Sequence, residues 1–70
     1  MNDKIIETLI TLTYRNNDDV KIAAIESLGE YASNIAFENV INRLIELARE
    51  SNRDVAIAAI KSLGKILKLK

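Results

Sequence analysis

A stretch of eleven residues occurs twice in this chain. Asp19–Gly29 reads DVKIAAIESLG and Asp54–Gly64 reads DVAIAAIKSLG, and only the residues at 21/56 and 26/61 differ. The offset is thirty-five residues in a chain of 70. Sliding residues 5–35 onto 40–70 without a gap extends the match: Ile6, Leu9, Ile10 and Leu12 fall on Ile41, Leu44, Ile45 and Leu47, and Asn17 falls on Asn52. Self-similarity at a fixed period marks a repeat architecture, in which each unit buries its apolar face against the next. The expected organisation is one domain of two units, about 1–35 and about 36–70.

Each unit reads as two helices. In the first segment, about Asp3 to Arg15, Ile5, Ile6, Leu9, Ile10 and Leu12 follow helical rather than alternating spacing. The corresponding segment, about Phe37 to Glu50, repeats this with Val40, Ile41, Leu44, Ile45 and Leu47. NNDD and SNRD then break the pattern. Asn17 and Asn52 are suited to cap a helix, because a short carboxamide oxygen can accept from the free N–H groups of the first turn. Asp19 and Asp54 follow in that turn, where the helix dipole favours negative charge. The second helices are expected over about Asp18–Ala32 and Arg53–Leu69. With no Pro and only 2 Gly, little remains besides short turns; SNIA at 33–36 is the expected inter-repeat turn.

The second helix carries a broad stripe: Val20, Ala23, Ala24, Ser27, Leu28 and Tyr31, widened by Ile25 and Ala32. Such width suits a helix touched by its own partner and by a neighbouring unit. Gly29 and Gly64 occupy the same slot near the helix end. A helical Gly costs about 0.5–1 kcal/mol relative to Ala, so its double use implies either close approach of another helix or the start of a helix terminus.

The segments NDDVKIAAIESLG (Asn17–Gly29) and NRDVAIAAIKSLG (Asn52–Gly64) resemble HEAT-like repeats, in particular the short kind named after phycobiliprotein lyases. The Asp-Val, the paired Ala and the Leu-Gly keep their spacing in both copies. The resemblance implies an all-α fold, an α-solenoid of two stacked helical hairpins, that binds other proteins with its second helices on the concave side. Departures are visible: Asp18 and Arg53 stand where the family often has Pro, and the basic residue after Val is Lys21 in one copy but Ala56 in the other. Tetratricopeptide repeats have a similar period and a Leu-Gly pair, but their downstream Ala and aromatic positions are not matched after Gly29.

Composition narrows the function. The chain has no Cys and no His, so disulfides, the common zinc sites and Ser–His–Asp or Cys–His catalysis are unavailable. Gly29 and Gly64 are isolated and form no phosphate-binding loop. Asp18 and Asp19 are adjacent carboxylates, explained by helix-start chemistry. The expectation is a non-enzyme without cofactor or metal. MNDKIIETL lacks the features of a signal peptide and no window is long and apolar enough to span a bilayer, which leads us to expect a cytoplasmic protein without membrane insertion.

A helical wheel puts Ile22, Glu26, Gly29 and Glu30 on the side of the second helix away from the main stripe. The second copy puts Ile57, Lys61, Gly64 and Lys65 there. By the geometry that the resemblance implies, these eight residues form a concave strip for a protein partner, acidic at one end and basic at the other. The wider charge pattern agrees. Residues 1–35 carry six acidic and three basic side chains, residues 36–70 four and seven, and such asymmetry steers association.

The ends of the stack pose a sharper problem. Terminal repeats need polar outer faces, yet the second copy keeps Ile60 where the first has Ile25, and has Leu67 in place of Ala32. A 70-residue chain buries only about 60% of its unfolded surface, and about three repeats are usual for stability. Ile60 and Leu67 are therefore expected at a self-association edge, most simply of a symmetric homodimer. The alternative is a monomeric bundle whose C-terminal tail folds over that flank. A second class of function is nucleic-acid or anion binding by Lys61, Lys65, Lys68 and Lys70, against which stand the zero net charge and the absence of interleaved aromatics.

Overall fold

A computed structural model describes residues 3–31 and 38–68, and among these the chain is helical without strands. Four helices follow in order: α1 Asp3–Leu12, α2 Asp18–Tyr31, α3 Glu38–Ala48 and α4 Arg53–Lys68. They form two hairpins, α1 with α2 and α3 with α4, joined chiefly by α2 packing along α4. This is the α-solenoid of stacked helical hairpins expected from the repeat. The SNIA turn lies outside the described residues.

Local chemistry sets the helix starts. The Val20 amide donates to Asn17 Oδ1 at 3.1 Å, and the Val55 amide to Asn52 Oδ1 at 3.0 Å. Both asparagines thus satisfy an amide that the first turn leaves without a helical partner. The first helix ends at Leu12, three residues before the expected Arg15. Its last turn tightens: the amides of Tyr14 and Arg15 donate to the carbonyls three residues back, Thr11 and Leu12, at 3.0 and 3.1 Å. The Thr13 hydroxyl donates to the Ile10 carbonyl at 2.6 Å. That side-chain bond competes with helix continuation, as Thr hydroxyls commonly do.

The core lies between the hairpins and mixes both repeats. Ile25 and Leu28 of α2 meet Val40, Leu44 and Leu47 of α3 and Val55, Ala59 and Ile66 of α4, all fully or almost fully buried. The alanines at 58 and 59 let α4 approach closely. Fully burying each large side chain contributes about 1.5–3 kcal/mol, so these few residues supply most of what holds 70 residues together.

Polar contacts staple the hairpins at their margins. Arg43 of α3, whose side chain is largely buried, donates through Nε to Thr13 Oγ1 at 2.8 Å and through Nη2 to the Thr13 carbonyl at 3.0 Å. Its guanidinium also lies 3.6 Å from the centroid of the Tyr14 ring and reaches Glu46. Lys21 Nζ bonds both carboxylate oxygens of Glu50, at 2.9 and 3.1 Å, and Asn52 Nδ2 donates to Asp18 Oδ2 at 2.6 Å. The Arg43 staple matters most, because it satisfies a buried Thr at the open end of α1.

Candidate interaction surface

The charged part of the expected strip comes together. Glu26 and Glu30 of α2, with Lys61 and Lys65 of α4, line one open groove of about 910 Å³. Lys65 pairs with Glu30 across the two helices. The groove also takes in Ile5 and Leu9 from α1 and Ala23, Ser27 and Tyr31 from α2, so it is apolar on one side and flanked by charge on the other.

The rest of the strip is dispersed. Ile22 is half-buried and packs against the core, because α2 is flanked by α1 as well as α4 and its covered arc is wider than one stripe. Ile57 is exposed but does not line the groove. Gly29 belongs to no surface: it is buried, and a Cβ placed there would lie 2.6 Å from Ser62 Oγ and 3.0 Å from Ser62 Cα. Gly64 is exposed with nothing within 4 Å of the corresponding point. Both glycines are inside helices and neither has positive φ. Of the two readings of the Gly slot, close approach is realised at Gly29, and helix termination at neither.

Ser62 explains the close approach. It is buried, and its hydroxyl donates to the Ile25 carbonyl of α2 at 2.8 Å. A serine on α4 thus sits on a glycine of α2, and the axes close until the hydroxyl reaches across.

Equivalent positions of the two repeats now read out the stacking surfaces. One face is covered only in the second repeat. Val40, Ala58, Ser62 and Ile66 are buried, whereas their counterparts Ile5, Ala23, Ser27 and Tyr31 are exposed. The opposite face is covered only in the first. Ile25 is fully buried and Gly29 is buried, whereas Ile60 is 56% exposed and Gly64 is open. Leu67 is 59% exposed, so the described residues leave the expected association edge uncovered. Reading one helix at a time missed the Ile5–Ser27–Tyr31 face; the signal was the repeat itself, since the equivalent positions of the second unit are covered and these are not.

The remaining expected sites are less informative. Lys61 and Lys65 are exposed at the groove, Lys68 closes α4, and Lys70 lies outside the described residues. No helix among the described residues is long and apolar enough to cross a membrane.

Comparison with known proteins agrees with this geometry. A family model described as HEAT repeats matches residues 5–69. No curated protein and no solved structure matches. The family match spans both hairpins, the paired Asn caps and the Gly–Ser seat between them, and the chain belongs to the HEAT repeat family.

Proposed function

We propose that this chain is a protein-interaction module that self-associates through the edge carrying Ile60 and Leu67, and that presents the groove residues Glu26, Glu30, Lys61 and Lys65, with Ile57 exposed outside the groove one turn before Lys61, to a protein partner. HEAT repeats generally serve as scaffolds for protein interaction, which supports the general class. The motif spacing from Asn17 to Gly29 and from Asn52 to Gly64 favours the short, phycobiliprotein-lyase-like kind of repeat. The observation that carries the reading is the contrast between two isoleucines at one repeat position: Ile25 is fully buried by the neighbouring hairpin and Ile60 is more than half exposed. Large apolar side chains clustered on a stacking face mark an interaction site.

Sedimentation equilibrium tests the association. The wild-type chain is expected above its monomer mass of 7.8 kDa, and the Ile60→Asp, Leu67→Asp double variant at that mass. A wild-type chain that stays at monomer mass at every concentration overturns self-association. The partner surface is tested by pull-down with Ile57→Asp and Lys61→Glu, both at exposed positions. Unchanged recovery of a specific partner would discredit the strip.

A further inference from the structure

We infer that copies of this chain join head to tail, the α4 edge of one copy seating on the α1–α2 groove of the next, with Ser27 of the second copy on Gly64 of the first. The inference rests on the self-association reading above and specifies its occupant and register.

The contact inside the molecule is the template. Between its hairpins, Ser62 sits on Gly29 and bonds the Ile25 carbonyl. Shift each residue by the repeat offset: Gly29 becomes Gly64, Ile25 becomes Ile60, and Ser62 becomes Ser27 of another copy. All three are at the surface. Gly64 has empty space where Gly29 has a serine. Ser27 lines an open groove where Ser62 has a helix above it. The face around Ser27 also exposes Ile5 and Tyr31, and the face around Gly64 exposes Ile60 and Leu67. The molecule thus holds both halves of one joint, on opposite ends, and cannot close them on itself.

Charge selects this arrangement over a symmetric one. Lys61 and Lys65 line the groove side of α4, next in sequence to the edge residues Ile60 and Gly64; the equivalent α2 positions carry Glu26 and Glu30. Head-to-tail stacking continues the order that Glu30 and Lys65 already have inside the molecule, acid beside base. A two-fold contact between α4 edges would set lysine against lysine. Like charges juxtaposed across an interface disfavour it. The intermolecular joint keeps the Gly–Ser seat but lacks the Arg43 staple, because the residues equivalent to Arg43 and Thr13 are Thr8 and Ala48. It is therefore weaker than the joint within the chain. Being heterologous, it leaves a free face at each end, so assembly proceeds beyond a dimer.

Two blocking variants test the register. Ser27→Gln and Gly64→Gln each place a long, helix-compatible side chain at an exposed position, so each monomer still folds, which circular dichroism verifies. Sedimentation equilibrium is run from about 1 µM to about 1 mM, the span of weak specific association. The wild-type mass should rise with concentration past the dimer. Each variant alone should stay well below the wild-type mass at every concentration, its self-association weakened about tenfold or more. An equal mixture of the two should form a 1:1 dimer that grows no further, because one intact face of each kind remains. If Ser27→Gln alone still associates like wild type, the joint is not head to tail, although self-association stands. If the mixture stays monomeric while wild type associates, the register is wrong. A monomeric wild type across the range removes the inference together with the self-association reading.

Discussion

Ser62 stands so close to Gly29 that a Cβ on the glycine would lie 2.9 Å from the serine Cβ and 3.0 Å from its Cα. The obstacle is backbone as well as side chain, so rotating Ser62 cannot relieve it. Gly29→Ala is expected to force the α2 and α4 axes apart and to destabilise the fold by about 1–3 kcal/mol. Gly64→Ala meets open space in a helix and should stabilise the monomer by about 0.5–1 kcal/mol. Urea unfolding followed by circular dichroism measures both. Equal signs at the two glycines would contradict the described geometry.

The same asymmetry extends to the serines. Ser62→Ala removes a buried hydroxyl that bonds the Ile25 carbonyl, and should cost about 0.5–1.5 kcal/mol. Ser27→Ala changes an exposed side chain and should stay within about 0.5 kcal/mol of wild type in the monomer. Thermal melts at low protein concentration, where association does not contribute, separate the two.

Arg43 should be the most sensitive charged position. Its Nε and Nη2 satisfy the hydroxyl and carbonyl of buried Thr13. Arg43→Ala leaves both without that partner and is expected to cost about 1.5–3 kcal/mol. Arg43→Lys should recover less than half of the loss, since an ammonium cannot offer two donors in a fixed fork or stack on Tyr14. Equilibrium unfolding with both variants gives the comparison; full rescue by Lys would reduce the contact to simple charge.

At the repeated isoleucines the expectation is again opposite. Ile25→Ala opens space in a fully buried site and should cost about 2–5 kcal/mol. Ile60→Ala should scarcely move the unfolding midpoint of the monomer, while weakening association in the ultracentrifuge.

The caps and the helical stripes were legible in the sequence because their causes are local. Asn17 and Asn52 act on amides three residues away, and α1 and α3 have one covered side. Gly29 and Gly64 were not separable, because identical motifs surround them and only the presence of a neighbouring helix differs. Ile22 falls on the solvent side of the helical wheel although the broad α2 stripe already implies two neighbours, because α1 and α4 together cover more of α2 than that stripe marks. Arg43 gave no signal: its partner is thirty positions away, and its repeat equivalent is Thr8. The charged residues of the groove were identified, but their apolar floor from Ile5 to Tyr31 needed the hairpins placed side by side.

The Arg43–Thr13 staple also fixes the order of the two halves. Each residue of the pair occurs once, on the sides that meet only when the first unit precedes the second. A circular permutant that starts at the second unit and stacks in its new chain order would keep the glycine seat but bring Thr8 opposite Ala48, with no guanidinium at the junction. Its halves would be less tightly coupled, and unfolding would lose cooperativity and proceed hairpin by hairpin. Although the two units look interchangeable, the chain can be written in one direction only.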